Sequence, residues 1–115
     1  MIDIVLKDID SSEFINQFNK LISSGIVCTW LVDCDGDYTM MSEQWRFHAW
    51  MRPYTDVQGH VRFGIVNSTN YRMTKDLYGM YHGIFVVTLL SCCDKYMENL
   101  EVSSLIDTSV DVVEE

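Results

Sequence analysis

Six side chains with chemical reach recur on alternate positions of two β-like runs. In QWRFHAWMR (44–52), Arg46, His48, Trp50 and Arg52 fall on one side, and Trp45, Phe47, Ala49 and Met51 on the other. In HVRFGIV (60–66), His60 and Arg62 point away from Val61, Phe63 and Ile65. The face holds three of the eight Lys+Arg and two of the three histidines. Guanidinium forks suit carboxylate and phosphate groups, and histidine acts as a general base near neutral pH. Arg46, His48, Trp50, Arg52, His60 and Arg62 are therefore a candidate binding site for an anion. If Arg52 and Arg62 stand opposite each other, their repulsion calls for something negative nearby. The plainer reading is a solvated sheet face with arginine stems lying on Trp50.

Other constellations are weaker. Tyr78, Tyr81 and His82 flank Gly79-x-x-x-Gly83 and could rim a pocket between a helix and the sheet. Each glycine there costs about 1 kcal/mol against alanine, so dense helix-on-sheet packing is the simpler reason for them. Asp33-x-Asp35-x-Asp37 is spaced like the start of a calcium loop. That loop needs glycine at its sixth place and glutamate at its twelfth, where Tyr38 and Gln44 stand. No metal is expected. Cys28, Cys34, Cys92 and Cys93 form neither a CxxC pair nor a zinc spacing. With no GxSxG, HExxH or phosphate-cradling glycine loop, no catalytic residue and no cofactor is assigned.

The elements that must position these residues follow from periodicity. Residues 2–6 read as a strand. Asp10 or Ser11 caps a helix whose Phe14, Phe18, Leu21 and Ile22 form one apolar face, ended by Ser23-Ser24-Gly25. Residues 26–33 are apolar on both alternations, as in a central strand. Asp35-Gly36 predicts a type I′ hairpin turn into a strand over 37–42. Strands over 44–52 and 60–66 follow, then a loop. Thr74 caps a second helix to about Met97. Val102 to Ile106 could add a short edge strand, and the end, TSVDVVEE, should fray. The expectation is an α+β two-layer sandwich of order β-α-β-β-β-β-α. It has a mainly antiparallel sheet of 4–5 strands and two helices on one face. Residues 1–97 form the domain and 98–115 an acidic tail.

Composition bounds the function. Hydrophobic residues at 48% and fourteen aromatics exclude a disordered chain. A net charge of −9 argues against nucleic acid. That charge is uneven: residues 97–115 hold six acids and no Lys or Arg, which leaves −3 for residues 1–96. The tail is thus expected to neutralise the basic face. The longest apolar stretch, Ile84 to Leu90, is too short to span a bilayer, so no membrane partner is expected. The chain begins without a signal-peptide pattern and reads as cytoplasmic with reduced thiols. Its apolar excess for so few residues calls for a covering partner. The leading expectation is a small cytosolic, non-enzymatic protein–protein interaction domain acting as a homodimer. The alternatives are an anionic-ligand-binding domain with weak hydrolase or isomerase activity, and an acidic inhibitor of a larger basic partner.

Overall fold

The computed structural model describes residues 1–104 and 106–113. Six strands and two helices follow in the order β1 (Ile2–Leu6), α1 (Ser11–Ser23), β2 (Trp30–Val32), β3 (Tyr38–Met40), β4 (Ala49–Tyr54), β5 (His60–Asn67), α2 (Lys75–Cys92) and β6 (Met97–Val102). The sheet runs β2-β3-β4-β5-β1-β6, and every neighbouring pair is antiparallel. Both helices pack on one face, giving the α+β sandwich its two layers. No helix among the described residues is long and apolar enough to cross a membrane.

Local chemistry accounts for both helix starts. The Asp10 carboxylate accepts the Glu13 N–H at 2.8 Å, and the Thr74 hydroxyl accepts the Leu77 N–H at 3.0 Å. Gly25, at φ +83°, turns the chain out of α1. The inward residues of the strands, Ile2, Ile4, Met51, Val61, Phe63 and Ile65, are fully buried. Phe85 of α2 sits at the centre of an aromatic cluster. Its ring lies 4.7 Å from Phe63, 4.8 Å from Trp30, 5.6 Å from Phe18 and 5.8 Å from Tyr38.

The structure departs from the periodicity in five places. The run 26–33 yields only three strand residues, and β2 lies at the sheet edge rather than its centre. Its first part is tied to the end of α1 by the Val27 N–H on the Leu21 carbonyl, and Ile26 is left exposed. In the turn over 33–36 only Gly36 takes a positive φ, so it is not type I′. The stretch 42–47 is a series of turns, not a strand: the N–H groups of Trp45 and Arg46 both return to the Ser42 carbonyl. Helix α2 stops at Cys92, and a 3-10 turn over Asp94–Tyr96 leads into β6. Strand β6 fills the edge that β1 leaves open, with Ile4 opposite Leu100 and Ile2 opposite Val102. The edge strand is therefore Met97–Val102 instead of 102–106. Leu105 of that expected strand, and Glu114 and Glu115 of the tail, lie outside the described residues.

The fifth departure is the tail. Val110 and Asp111 are buried, and Val112 bridges to Val66 in parallel. The Asp111 carboxylate accepts the Ile65 N–H at 2.8 Å and the Asp107 N–H at 2.7 Å. Gly64 makes this possible: a Cβ there would lie 2.0 Å from the Val110 carbonyl oxygen. The expected fraying fails because the tail satisfies backbone groups of β5 that β1 does not reach.

Candidate functional site

Four of the six basic-face residues do share the outer face of β4 and β5. Register places Trp50 opposite Val66, Arg52 opposite Gly64 and Tyr54 opposite Arg62. Arg52 and Arg62 are therefore not cross-strand partners. Each basic side chain on the face instead has an acid of its own. Arg52 donates through Nη2 and Nε to Asp37 at 3.0–3.3 Å, and Arg62 donates to both oxygens of Asp56 at 2.9 Å. His60 Nδ1 lies 2.9 Å from the Asp3 carboxylate. The hydrogen bond to Asp37 raises the already high Arg52 pKa, and Arg62 lowers that of Asp56. The negative partner that the sequence called for is thus built from β1, the β3 turn and the β4–β5 connection.

Arg46 and His48 are not on this face, because the stretch carrying them is not a strand. Arg46 donates through Nε and Nη2 to the Met41 carbonyl at 3.1 and 2.7 Å. The His48 ring stacks on Tyr71 with centroids 3.6 Å apart.

Among the described residues no acid of the tail forms an ion pair with Arg52, His60 or Arg62, although the charge of Arg62 helps to lower the Asp107 pKa. Asp111 lies 3.6 Å from the Met1 ammonium. That ammonium spends its three N–H groups on Tyr78 Oη at 2.9 Å, His82 Nε2 at 3.0 Å and Ser103 Oγ at 2.9 Å. His82 Nδ1 lies 2.8 Å from the Tyr78 carbonyl, which only accepts, so Nδ1 carries the proton and Nε2 the lone pair. Burial pushes the His82 pKa down to about 4, consistent with that neutral tautomer. Burial lowers the ammonium pKa as well, against the pull of Asp111. The cluster is one sequence reasoning missed, since it joins Met1 to Ser103 and Asp111 at the other end of the chain.

Beside this cluster runs an apolar groove of about 940 Å³. One wall is α2, with Tyr78, Gly79, His82 and Gly83, and the other carries Val102, Ser103 and Ile106. Tyr78 and His82 thus line a pocket, as their spacing suggested. Tyr81 does not: it is fully buried, and its hydroxyl donates to the Trp45 carbonyl and meets Thr39 Oγ1 at 3.1 Å. The dense-packing explanation of the two glycines also fails. A Cβ at Gly79 or Gly83 would meet nothing within 4 Å. Both lie on the outer face of α2, in line with Val87 and Leu90, which are 58% and 54% exposed. From Leu77 to Cys93 the chain carries no Asp, Glu, Lys or Arg.

Among the described residues no three His, Cys, Asp or Glu converge to hold a metal ion. Burial pushes the Cys93 thiol up to about 12, out of the range where thiolate chemistry operates. Comparison with family models, with curated proteins and with solved structures returned no match.

Proposed function

We propose that this is a non-enzymatic protein–protein interaction domain that acts as a homodimer through the outer face of α2. One observation carries the reading: α2 is free of charge between Asp76 and Asp94 although one side of it faces outward. A helix that is apolar all round belongs in an interior, and the sheet supplies only half of one. The stripe also complements itself. In an antiparallel two-fold pair centred near Phe85, Val87 of each protomer faces Gly83 of the other, and Leu90 faces Met80. The branched half supplies knobs and the glycine half hollows, as an isologous contact requires. A single helix stripe buries less than the roughly 800 Å² per partner of a stable interface. The contact therefore extends over Val102 and Ile106, which are exposed beside the groove. Four free thiols suit a reducing, cytoplasmic setting.

Light scattering on the intact chain at tens of micromolar, roughly the range of ordinary homodimer affinities, should give twice the chain mass. Val87→Asp with Leu90→Asp, both at exposed positions, should halve it and leave the far-ultraviolet dichroism unchanged. A strict monomer before substitution overturns the reading. The groove volume also suits a small apolar ligand. Such a ligand would compete with self-association, so thermal stabilisation accompanied by dissociation selects that second reading.

A further inference from the structure

The arginines of this chain fall into two classes. Arg52 and Arg62 each have a carboxylate, as described above. Arg46 and Arg72 have none within ion-pair distance among the described residues. They lie in stretches of unusual composition: residues 44–55 and 57–75 contain no acid and hold five of the eight Lys+Arg.

Arg46 borders an exposed aromatic corner, and Arg72 is exposed and next in sequence to Tyr71 of the same corner. Phe47 and Tyr71 are 51% and 44% exposed, and Met41 beside them is 39% exposed. The Phe47 ring stacks on Trp50 at 6.4 Å, and the Arg46 guanidinium lies 6.0 Å from the same ring. Tyr71 is held by its stack on His48, and Arg72 follows it directly. Phe47 sits at φ +62°, a left-handed conformation that aromatic residues rarely adopt. Its N–H donates to Thr39 Oγ1 at 3.0 Å, so the backbone is fixed while the ring is presented outward. Strain of this kind persists where the surroundings over-determine it, and it gathers at binding sites. Arg46 is fixed as well: the Met41 carbonyl holds Nε and Nη2, which leaves Nη1 to offer its protons.

We propose that this corner binds an acidic peptide segment of a partner protein, an apolar side chain resting on Phe47 and Trp50 and carboxylates meeting Arg46 and Arg72. Charge complementarity selects the occupant. Two uncompensated guanidiniums suit a few carboxylates, and Arg, aromatic and Met side chains are those enriched at protein interfaces. A nucleic acid would need many phosphates neutralised, more than two arginines supply. The site is separate from the α2 face and does not rest on dimer formation.

The test is a tryptophan-fluorescence titration of the intact chain. The probes are a short synthetic peptide of alternating Glu and Leu, its Gln-for-Glu counterpart, and oligothymidylate. The Glu–Leu peptide should bind, weaken as salt rises, and exceed the Gln–Leu peptide by about tenfold. Phe47→Gly removes the ring and suits the positive φ, so it should raise the Tm while weakening the peptide about tenfold. Arg46→Glu, at a half-buried position, gives an independent loss. Val87→Asp with Leu90→Asp should bind the peptide as the unsubstituted chain does. Equal binding of the Gln–Leu peptide, preference for oligothymidylate, undiminished binding by Phe47→Gly, or loss of binding in the α2 double variant each overturns the proposal.

Discussion

Helices α1 and α2 lie on the same face of the same sheet and start with the same kind of cap, yet their outer faces have opposite characters. The outer side of α1 carries Ser12, Glu13, Asn16 and Lys20, with Gln17 donating to Glu13 one turn back at 2.8 Å. That is an ordinary solvated face. The outer side of α2 carries Gly79, Gly83, Val87 and Leu90. The fold needs only the inner faces: Phe14 and Phe18 from one helix, Leu77, Tyr81, Phe85 and Leu89 from the other. Whatever selects the outer residues of α2 therefore acts after folding, and α1 serves as the internal control.

The inner faces set the largest expected effect. Phe18 touches two rings of the cluster, Tyr38 and Phe85, whereas Phe85 touches four. Both side chains are fully buried. Truncating a buried phenylalanine to alanine costs about 3–5 kcal/mol. Phe85→Ala should fall at the top of that range and Phe18→Ala at the bottom, measured as urea midpoints. The reverse order would mean that α1, not α2, anchors the core, and the contrast between the helices would lose its inner half.

A smaller effect separates the helices by pH. Only α2 holds a buried histidine, His82, faced by the Met1 ammonium, Tyr78, Ser103 and, beyond the ammonium, Asp111. The folded state holds its pKa near 4, against about 6.5 when unfolded. Between those values the unfolded chain binds more protons, so stability is complete above pH 6.5 and falls as pH drops towards 4. The loss is roughly 3–3.5 kcal/mol in all, at about 1.4 kcal/mol per unit. Protonation would also turn Nε2 into a donor facing the ammonium. Urea unfolding at a series of pH values should show this slope, and His82→Gln should remove it. A slope that survives the substitution would assign it to the carboxylates instead.

Legibility followed the range of the determining contact. The caps of both helices, the alternation of β5 and the two-layer class depend on neighbours in sequence, and those were readable. The apparent strand 44–48 was not, because turns around Ser42 and the Thr39 hydroxyl impose a conformation that period-2 alternation mimics. Strand β6 and the buried tail answer vacancies along β1 and β5 that exist only once the sheet is assembled. One local cue to the tail was present: Gly64 interrupts an otherwise apolar and basic strand, and an isolated strand glycine often marks a close backbone approach. Of the site, Tyr78 and His82 were readable from their flanking of two glycines. Tyr81 was misplaced because it sits between them in sequence, while the helix turns it inward.

The two α2 glycines give the smallest and most discriminating effect. Helix α1 contains no glycine, and α2 contains two on its outer face. Nothing within 4 Å would touch a Cβ at either position, so packing within one protomer gives no reason to keep them. Alanine at an exposed helix position is favoured over glycine by up to about 1 kcal/mol. Gly83→Ala should therefore stabilise the isolated protomer by that amount, read at a concentration where association is negligible. If Gly83 is the hollow that receives Val87 of a second protomer, the same methyl group should weaken self-association. Stability and association would then move in opposite directions. If both rise together, the glycine is a helix defect rather than an interface device, and the outer faces of α1 and α2 differ only in composition.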